Sequence, residues 1–316
     1  NPIPGDRQMN SILVVGSVAL DSVETRAGKS EEALGGSATY FSLAARHFAP
    51  VKIVGVVGED FPARHREMLE KGGIDLSGLE TAKGRTFRWS GSYTADFNAA
   101  NTLDTQLNVF AEFDPKLSSA HKECPVLFLA NIDPELQMEV LSQMKGPKIV
   151  AADTMNFWID SKKAAVKELL GRVDILFVNE QEAQSLSGAD GNVAAAKILT
   201  GWGPSVVVIK KGEHGALLYA GRKVYPFPAY PKESIEDPTG AGDSFGGGFM
   251  GALSVDPDLS NHSNLKRAAV YGSVLASFNV ESFSTERLEG LTRDALDARA
   301  REYVELLSVD FEPVPA

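Results

Sequence analysis

The sequence predicts an α/β protein, a doubly wound and mostly parallel sheet flanked by helices, with a small second group of strands added to it. Two observations predict the main sheet. Short apolar, β-branched runs recur along the chain with helical stretches between them, the rhythm of successive βαβ units. These runs lack polar alternation, as strands buried on both faces require. The third observation is a break in that rhythm at residues 85–110, where polar and apolar residues alternate and helix formers are few. That pattern reads as antiparallel strands with one solvated face.

Residues 11–16 (SILVVG) are the first run, closed by glycine, and residues 17–21 (SVALD) follow. Asp21 is therefore expected just past a strand end, where open α/β sheets bind ligands. A loop-capping aspartate is the competing reading. Residues 34–46 open on Gly35 and Gly36 and continue as a helix with small residues on one side. The two glycines let the backbone approach a ligand, and Tyr40 reads equally as a ligand contact or a core aromatic. Residues 51–58 (VKIVGVVG) form the second buried strand. Glu59, Asp60 and Phe61 open a helix that ends near Gly72 and Gly73, with acids at its start and Lys71 at its end. Residues 86–93 and 105–110 supply the alternating strands. Residues 125–130, 148–153, 174–178 and 205–210 continue the parallel series. Loops after these strands share one edge, which places Asn131, Asp133, Asp153, Asn156 and Phe157 there. Asn179 to Glu182 (NEQE) reads as a helix N-cap with acids in the first turn. Residues 265–280 and 291–307 are the last helices. No repeat, low-complexity tract or linker interrupts the series, so residues 1–316 are expected to form one domain.

Composition narrows the function. The 316 residues are 43% hydrophobic, enough for a large core, and carry a net charge of -11. The pI is about 5.0. With no run of Lys or Arg, neither nucleic acid nor an anionic membrane surface is an expected partner. The single cysteine, Cys124, excludes an intrachain disulfide and a multi-cysteine metal site. No run reaches the length of a membrane span and the start lacks a signal pattern, so a cytoplasmic protein is expected.

The stretch that carries chemistry is residues 237–248 (DPTGAGDSFGGG), a glycine-rich turn running into a helix with Asp243 in its first turn. Such a turn gathers backbone N–H groups at the positive end of a helix dipole, a site for a polyphosphate. A carboxylate there repels an anion, but it is well placed to accept a proton from an attacking hydroxyl. An N-capping aspartate is the competing reading. Gly246, Gly247 and Gly248 each cost a helix about 1 kcal/mol relative to Ala, so something must approach their backbone too closely for a side chain. Two other phosphate motifs are absent: there is no Gly-x4-Gly-Lys-Ser/Thr loop, and no Gly-x-Gly-x-x-Gly follows the first strand.

Residues 237–245 closely resemble the C-terminal signature of the ribokinase-like, or PfkB, family of carbohydrate and nucleoside kinases, and residues 34–46 resemble its N-terminal signature. The resemblance implies an anion hole at Gly240, Ala241 and Gly242, with Asp243 as the catalytic base. It implies that Asp21 binds substrate hydroxyls, helped by Gly35, Gly36, Ser37 and Tyr40. Ribokinases carry asparagine, lysine and asparagine where this chain has Ala19, Ser37 and Tyr40, which argues against free ribose. The alternating strands, with a segment near residues 18–33, would form a lid at about 85–112 that often pairs two subunits into a homodimer. Arg88, Trp89, Tyr93, Asp96 and Asn98 are its candidates to close over a substrate, and Asn131 is a further candidate contact. Asn179 and Glu182 match an Asn-x-x-Glu element that helps hold Mg2+ and phosphate, largely through water. Lys211, Gly212 and Gly215 would line ATP, and Ala276 and Asn279 would lie against its adenine. A monovalent cation such as K+ would use Asp237 and Thr239, although the following loop at residues 281–284 departs from the ribokinase form.

The expected activity is transfer of the ATP γ-phosphoryl group to a hydroxyl of a small polyol, a sugar or sugar-like compound. A nucleoside kinase is the nearest alternative, suggested by Tyr40, Phe41, Trp89, Phe157 and Trp158. A non-catalytic sugar or nucleotide sensor is a different class, against which the intact Asp243 counts. A dehydrogenase is disfavoured by the missing dinucleotide fingerprint.

Overall fold

The computed structural model describes residues 9–94 and 100–309. Asp96 and Asn98 lie outside the described residues. Among the described residues, thirteen strands form two sheets. In chain order they are β1 (Ile12–Val15), β2 (Ala19–Thr25), β3 (Gly28–Gly35), β4 (Val51–Gly58), β5 (Ile74–Ala82), β6 (Arg88–Tyr93), β7 (Ala100–Gln106), β8 (Val126–Leu129), β9 (Ile149–Asp153), β10 (Ile175–Asn179), β11 (Val206–Lys210), β12 (Ala216–Ala220) and β13 (Lys223–Phe227). The large sheet runs β13-β12-β11-β10-β9-β8-β1-β4-β5. From β11 to β5 every pairing is parallel, and β12 and β13 close one edge antiparallel.

Alternation along each buried strand feeds two cores. Ile12 and Val14 of β1 join one, with Phe41, Phe249 and Leu275 from the helices Ser37–Ala45, Ala241–Ser254 and His262–Asn279. Leu13 and Val15 join the other, with Val140, Leu169, Leu186 and Leu199 from four helices on the opposite face. A strand with both faces covered must be apolar throughout, which is why these runs were legible.

The glycines at residues 246–248 answer to helix packing. A Cβ on Gly247 would lie 2.3 Å from the Phe41 carbonyl oxygen, and one on Gly248 would lie 2.7 Å from that of Tyr271. The helix carrying Asp243 is thus clasped by a neighbour on each side, and their close approach replaces side-chain volume.

The second sheet, β3-β2-β6-β7, differs from expectation in three respects. β2 and β6 pair in parallel, so the small sheet is mixed. The later strand stops at Gln106, and Asn108–Glu112 is a 3-10 turn instead. Asp21 lies within β2 and not in a loop past a strand end. In addition, the helix expected to begin at Glu59 begins at Ala63 and has no acid in its first turn. Asp60 is drawn instead to Thr86, whose backbone N–H and hydroxyl both donate to it at 2.7 Å.

Candidate active site

The carboxyl ends of three adjacent parallel strands, β9, β10 and β11, deliver Asp153, Asn179 and Lys210 to one edge. The Lys210 Nζ donates to Asp153 Oδ2 at 2.6 Å. Asn179 caps the helix Glu180–Ser187 by accepting from the Glu182 N–H at 2.8 Å, and its own N–H donates to Glu182 Oε2 at 2.7 Å. The capping reading of this element is realised, and it leaves Glu182 buried beside Lys210 and Asp153. Gln137 holds the edge together from below, its amide donating to the carbonyls of Leu129, Ala130 and Asp153.

Against this edge stands the start of the helix Ala241–Ser254. Gly240 precedes it with φ 76°, a left-handed conformation, and a Cβ there would lie 2.3 Å from Cγ of the Tyr40 ring. Both facts demand glycine. The Ala241 N–H is donated to the Pro238 carbonyl at 3.1 Å. That leaves Gly242 and Asp243 in the first turn, where a helix supplies no acceptor of its own. Burial raises the Asp243 carboxyl to about 7, and Asp153 adds to the rise while Lys210 opposes it. Glu182 is raised to about 7 by burial, with Lys210 again opposing. For Lys210 burial works against the charge, but Asp153, Glu182 and Asp243 outweigh it and hold its pKa above the ordinary lysine value.

A cavity of about 520 Å³ opens beside this cluster, lined among others by Lys210, Gly212, Gly215, Gly242, Phe245 and Ala276. Gly212, Gly215 and Ala276 are expected at a nucleotide, and Gly242 at the transferred phosphoryl group. Lys211 is not among the lining residues. Its N–H closes the turn onto the Gly215 carbonyl at 2.7 Å, whereas Lys210, one position earlier, lines the cavity together with Lys232. Asn279 is also diverted: 1% exposed, it donates to the Thr239 carbonyl and accepts from Ser244, bracing the motif from behind.

On the other side of the helix start lies Asp21, its carboxylate packed so close to Gly35 that a Cβ there would lie 1.9 Å from Oδ2. Burial raises Asp21 to about 7, the Gly36 N–H opposes the rise, and Asp237 and Asp243 add to it. Trp89 is the register neighbour of Asp21 across the parallel β2–β6 pair, so the two share a face of the small sheet. Its ring lies over Gly91, and its indole N–H donates to Thr102 of β7 at 3.3 Å. Tyr93, farther along β6, meets Thr239: the two hydroxyls are 3.2 Å apart. Asp237 accepts from the N–H groups of Thr239 at 2.8 Å and Ser284 at 3.2 Å.

Three expected substrate contacts have structural partners or surroundings. The Ser37 hydroxyl is engaged with Ser17 at 3.1 Å, and Ser17 Oγ in turn accepts from the Ser37 N–H. Tyr40 is 1% exposed and packs as a core aromatic, although its hydroxyl is buried without a partner. Asn131 is half-buried with Oδ1 unpartnered. Asp133 caps the helix Pro134–Gln143 and pairs with Lys162, and Phe157 is exposed.

A helix start with first-turn amides that have no intrahelical acceptor, and a carboxylate raised to about 7 in the same turn, suit a phosphotransferase acting on a hydroxyl. The chain belongs to the pfkB family of carbohydrate kinases. The model of the family described as pfkB family carbohydrate kinase matches residues 9–289. The chain is 31% identical over 252 residues to a cytidine kinase of Thermococcus kodakarensis, a match covering 78% of this chain and 89% of that protein. It is 28% identical to a nucleoside kinase of Methanothermobacter thermautotrophicus, covering 74% of each. Among solved structures it resembles the nucleoside kinase of Methanocaldococcus jannaschii, with a TM-score of 0.74, 21% identity and coverage of 93% of this chain and 99% of that one.

Proposed function

We propose that the protein transfers the γ-phosphoryl group of ATP to a ribose hydroxyl of a nucleoside, with Asp243 as proton acceptor. The observation that carries the reading is the half-buried Asp243 carboxylate, raised to about 7, in the first turn behind left-handed Gly240. A base near neutrality accepts a proton efficiently at working pH. ATP would occupy the cavity beside Gly212, Gly215 and Ala276. The first-turn amides would bind the developing charge, with Gly240 and Ala241 shaping the turn. Asp21 would hold the acceptor's hydroxyls, with Gly35, Gly36 and Trp89 around it. A nucleoside is favoured over a free sugar by two supports: the cytidine and nucleoside kinase relatives, and Trp89 on the face of Asp21, where a base would stack. A small sugar is the second reading.

Among the described residues no group of three or more His, Cys, Asp or Glu could hold a metal ion. Magnesium fits all the same, since it binds through one or two carboxylates together with substrate phosphates and water. Glu182 would hold it, and the ion would neutralise phosphate charge. Asp237, with Thr239, is the residue a monovalent cation such as K+ would meet. We further propose that residues 1–316 act as one kinase domain and that a second copy pairs along β7, which is exposed throughout. No helix among the described residues is long and apolar enough to cross a membrane.

An ADP-release screen over nucleosides, sugars, sugar acids and inositols tests the proposal. The best kcat/KM is expected on a nucleoside. A free sugar preferred over every nucleoside transfers the assignment to the second reading, and no ADP release on any acceptor refutes it.

A further inference from the structure

We propose that Lys210 is a second catalytic group, the cation that meets the transferred phosphoryl group at the helix start, and that Asp153 positions it. The inference rests on the kinase reading above. It begins from topology: β9 and β11 flank β10, so an acid ending one strand and a lysine ending the other point at the same crevice from two sides. The pair is close, 2.6 Å from Nζ to Oδ2, and the Asp153 side chain is 4% exposed.

The ammonium also reaches the anion site. A Cβ on Gly242 would lie 3.2 Å from Lys210 Nζ, so the charge rests against the first-turn backbone, and Lys210 lines the cavity. An ammonium has three donors, and its one ion-pair partner among the described residues is Asp153. Lys232, the other lysine of the cavity wall, is spent on Glu281 at 2.6 Å. A chain of net charge -11 must assemble positive potential locally to hold a polyphosphate. Lys210 does this at the helix start, and Asp153 fixes the donor without filling it.

In the reaction the acceptor oxygen bonds to the γ-phosphorus while the bond from that phosphorus to the bridging oxygen breaks, and ADP leaves with the electron pair. The hydroxyl proton passes to Asp243. Lys210 keeps its own proton and stabilises the charge on the equatorial oxygens, as an anion-site donor does.

The test compares Lys210→Met and Lys210→Arg with the parent for kcat, and for ATP and ADP affinity by calorimetry. Lys210→Met should lose about 10²-fold or more in kcat and bind ATP more weakly while ADP affinity is held, because the contact is to the γ-group. Lys210→Arg keeps the charge and should retain the preference for ATP. Removing one member of a buried pair strands the other, so Lys210→Met risks unfolding. The double variant Asp153→Asn/Lys210→Met leaves no unpaired partner and should show the same loss. Turnover of either methionine variant within a few-fold of the parent overturns the proposal. Equal weakening of ATP and ADP also overturns it, since the lysine would then lie away from the transferred group. If Lys210→Met fails while Asp243→Asn retains activity, the kinase chemistry assigned to Asp243 is at fault and not the role of Lys210.

Discussion

The two halves of the site are built in opposite ways. The phosphate half is buried and over-determined: Gly240 is pinned under Tyr40, Lys210 is paired to Asp153, Glu182 is locked in a capping box, and Asn279 braces Thr239. The proposed acceptor half is carried by a sheet whose edge strand β7 is exposed along its length. That sheet touches the motif at a few points, among them Tyr93 to Thr239 at 3.2 Å and Thr25 to the Glu236 carbonyl at 2.7 Å. Preorganised dipoles and charges do the work of phosphoryl transfer, so one half must be rigid. Closure of this sheet over the proposed acceptor would exclude water from the chemistry.

If that division holds, substitutions in the two halves should separate in kinetics. The largest effect belongs to Asp243→Asn, which keeps size and removes the basic charge: kcat should fall by ~10² to 10⁴ with ATP affinity held, checked by ADP release and calorimetry. Next comes Asp21→Ala. A hydrogen bond to a charged group contributes about 1.5–3 kcal/mol, so acceptor kcat/KM should drop roughly 10- to 100-fold with ATP affinity unchanged. A loss of ATP binding instead would break the division. Trp89→Ala should raise acceptor KM by roughly 3- to 10-fold and leave kcat nearly intact, the mark of uniform binding. An unchanged KM would take Trp89 out of the site.

The smallest effect concerns stability. The folded-state pKa of Asp21, about 7, lies above its ordinary 3.8, so the folded protein holds this proton longer and ionising it between those values costs stability as pH rises. Half-buried His47, lowered by desolvation to about 4, acts in the opposite sense over part of that window, so the parent curve alone is ambiguous. The difference is not. Asp21→Asn should melt progressively higher than the parent from pH 5 to pH 8, by roughly 2–4 °C for each kcal/mol removed.

The same contrast explains what was legible in the sequence. The parallel strands are legible because burial on both faces leaves no polar positions, whereas edge strand β5 mixes polar and apolar residues and carries no such signal. Antiparallel β12 and β13 were missed with it. The helix start at Asp243 is local, and nine consecutive residues encode it. Lys210 is not local: its role arises because β11 lies two places from β9, and a lysine ending an apolar run carries no pattern. Lys211 stands out in the sequence for the same reason, since a glycine turn is visible there and the direction of a side chain is not. The parallel pairing of β2 with β6 was hidden likewise, because residues far apart in the chain set the register.

The central claim is that Asp243 takes the proton, and the pH dependence of kcat/KM tests it most directly. Burial holds this carboxyl near 7, and only the ionised form accepts a proton. For the parent, log kcat/KM should therefore rise from pH 5 and level off above an apparent pKa near 7, a limb that Asp21 and Glu182 share, and Asp243→Asn should show a shallower limb and lose most of its rate. A mutant that keeps both the limb and a rate within a few-fold of the parent would contradict the account.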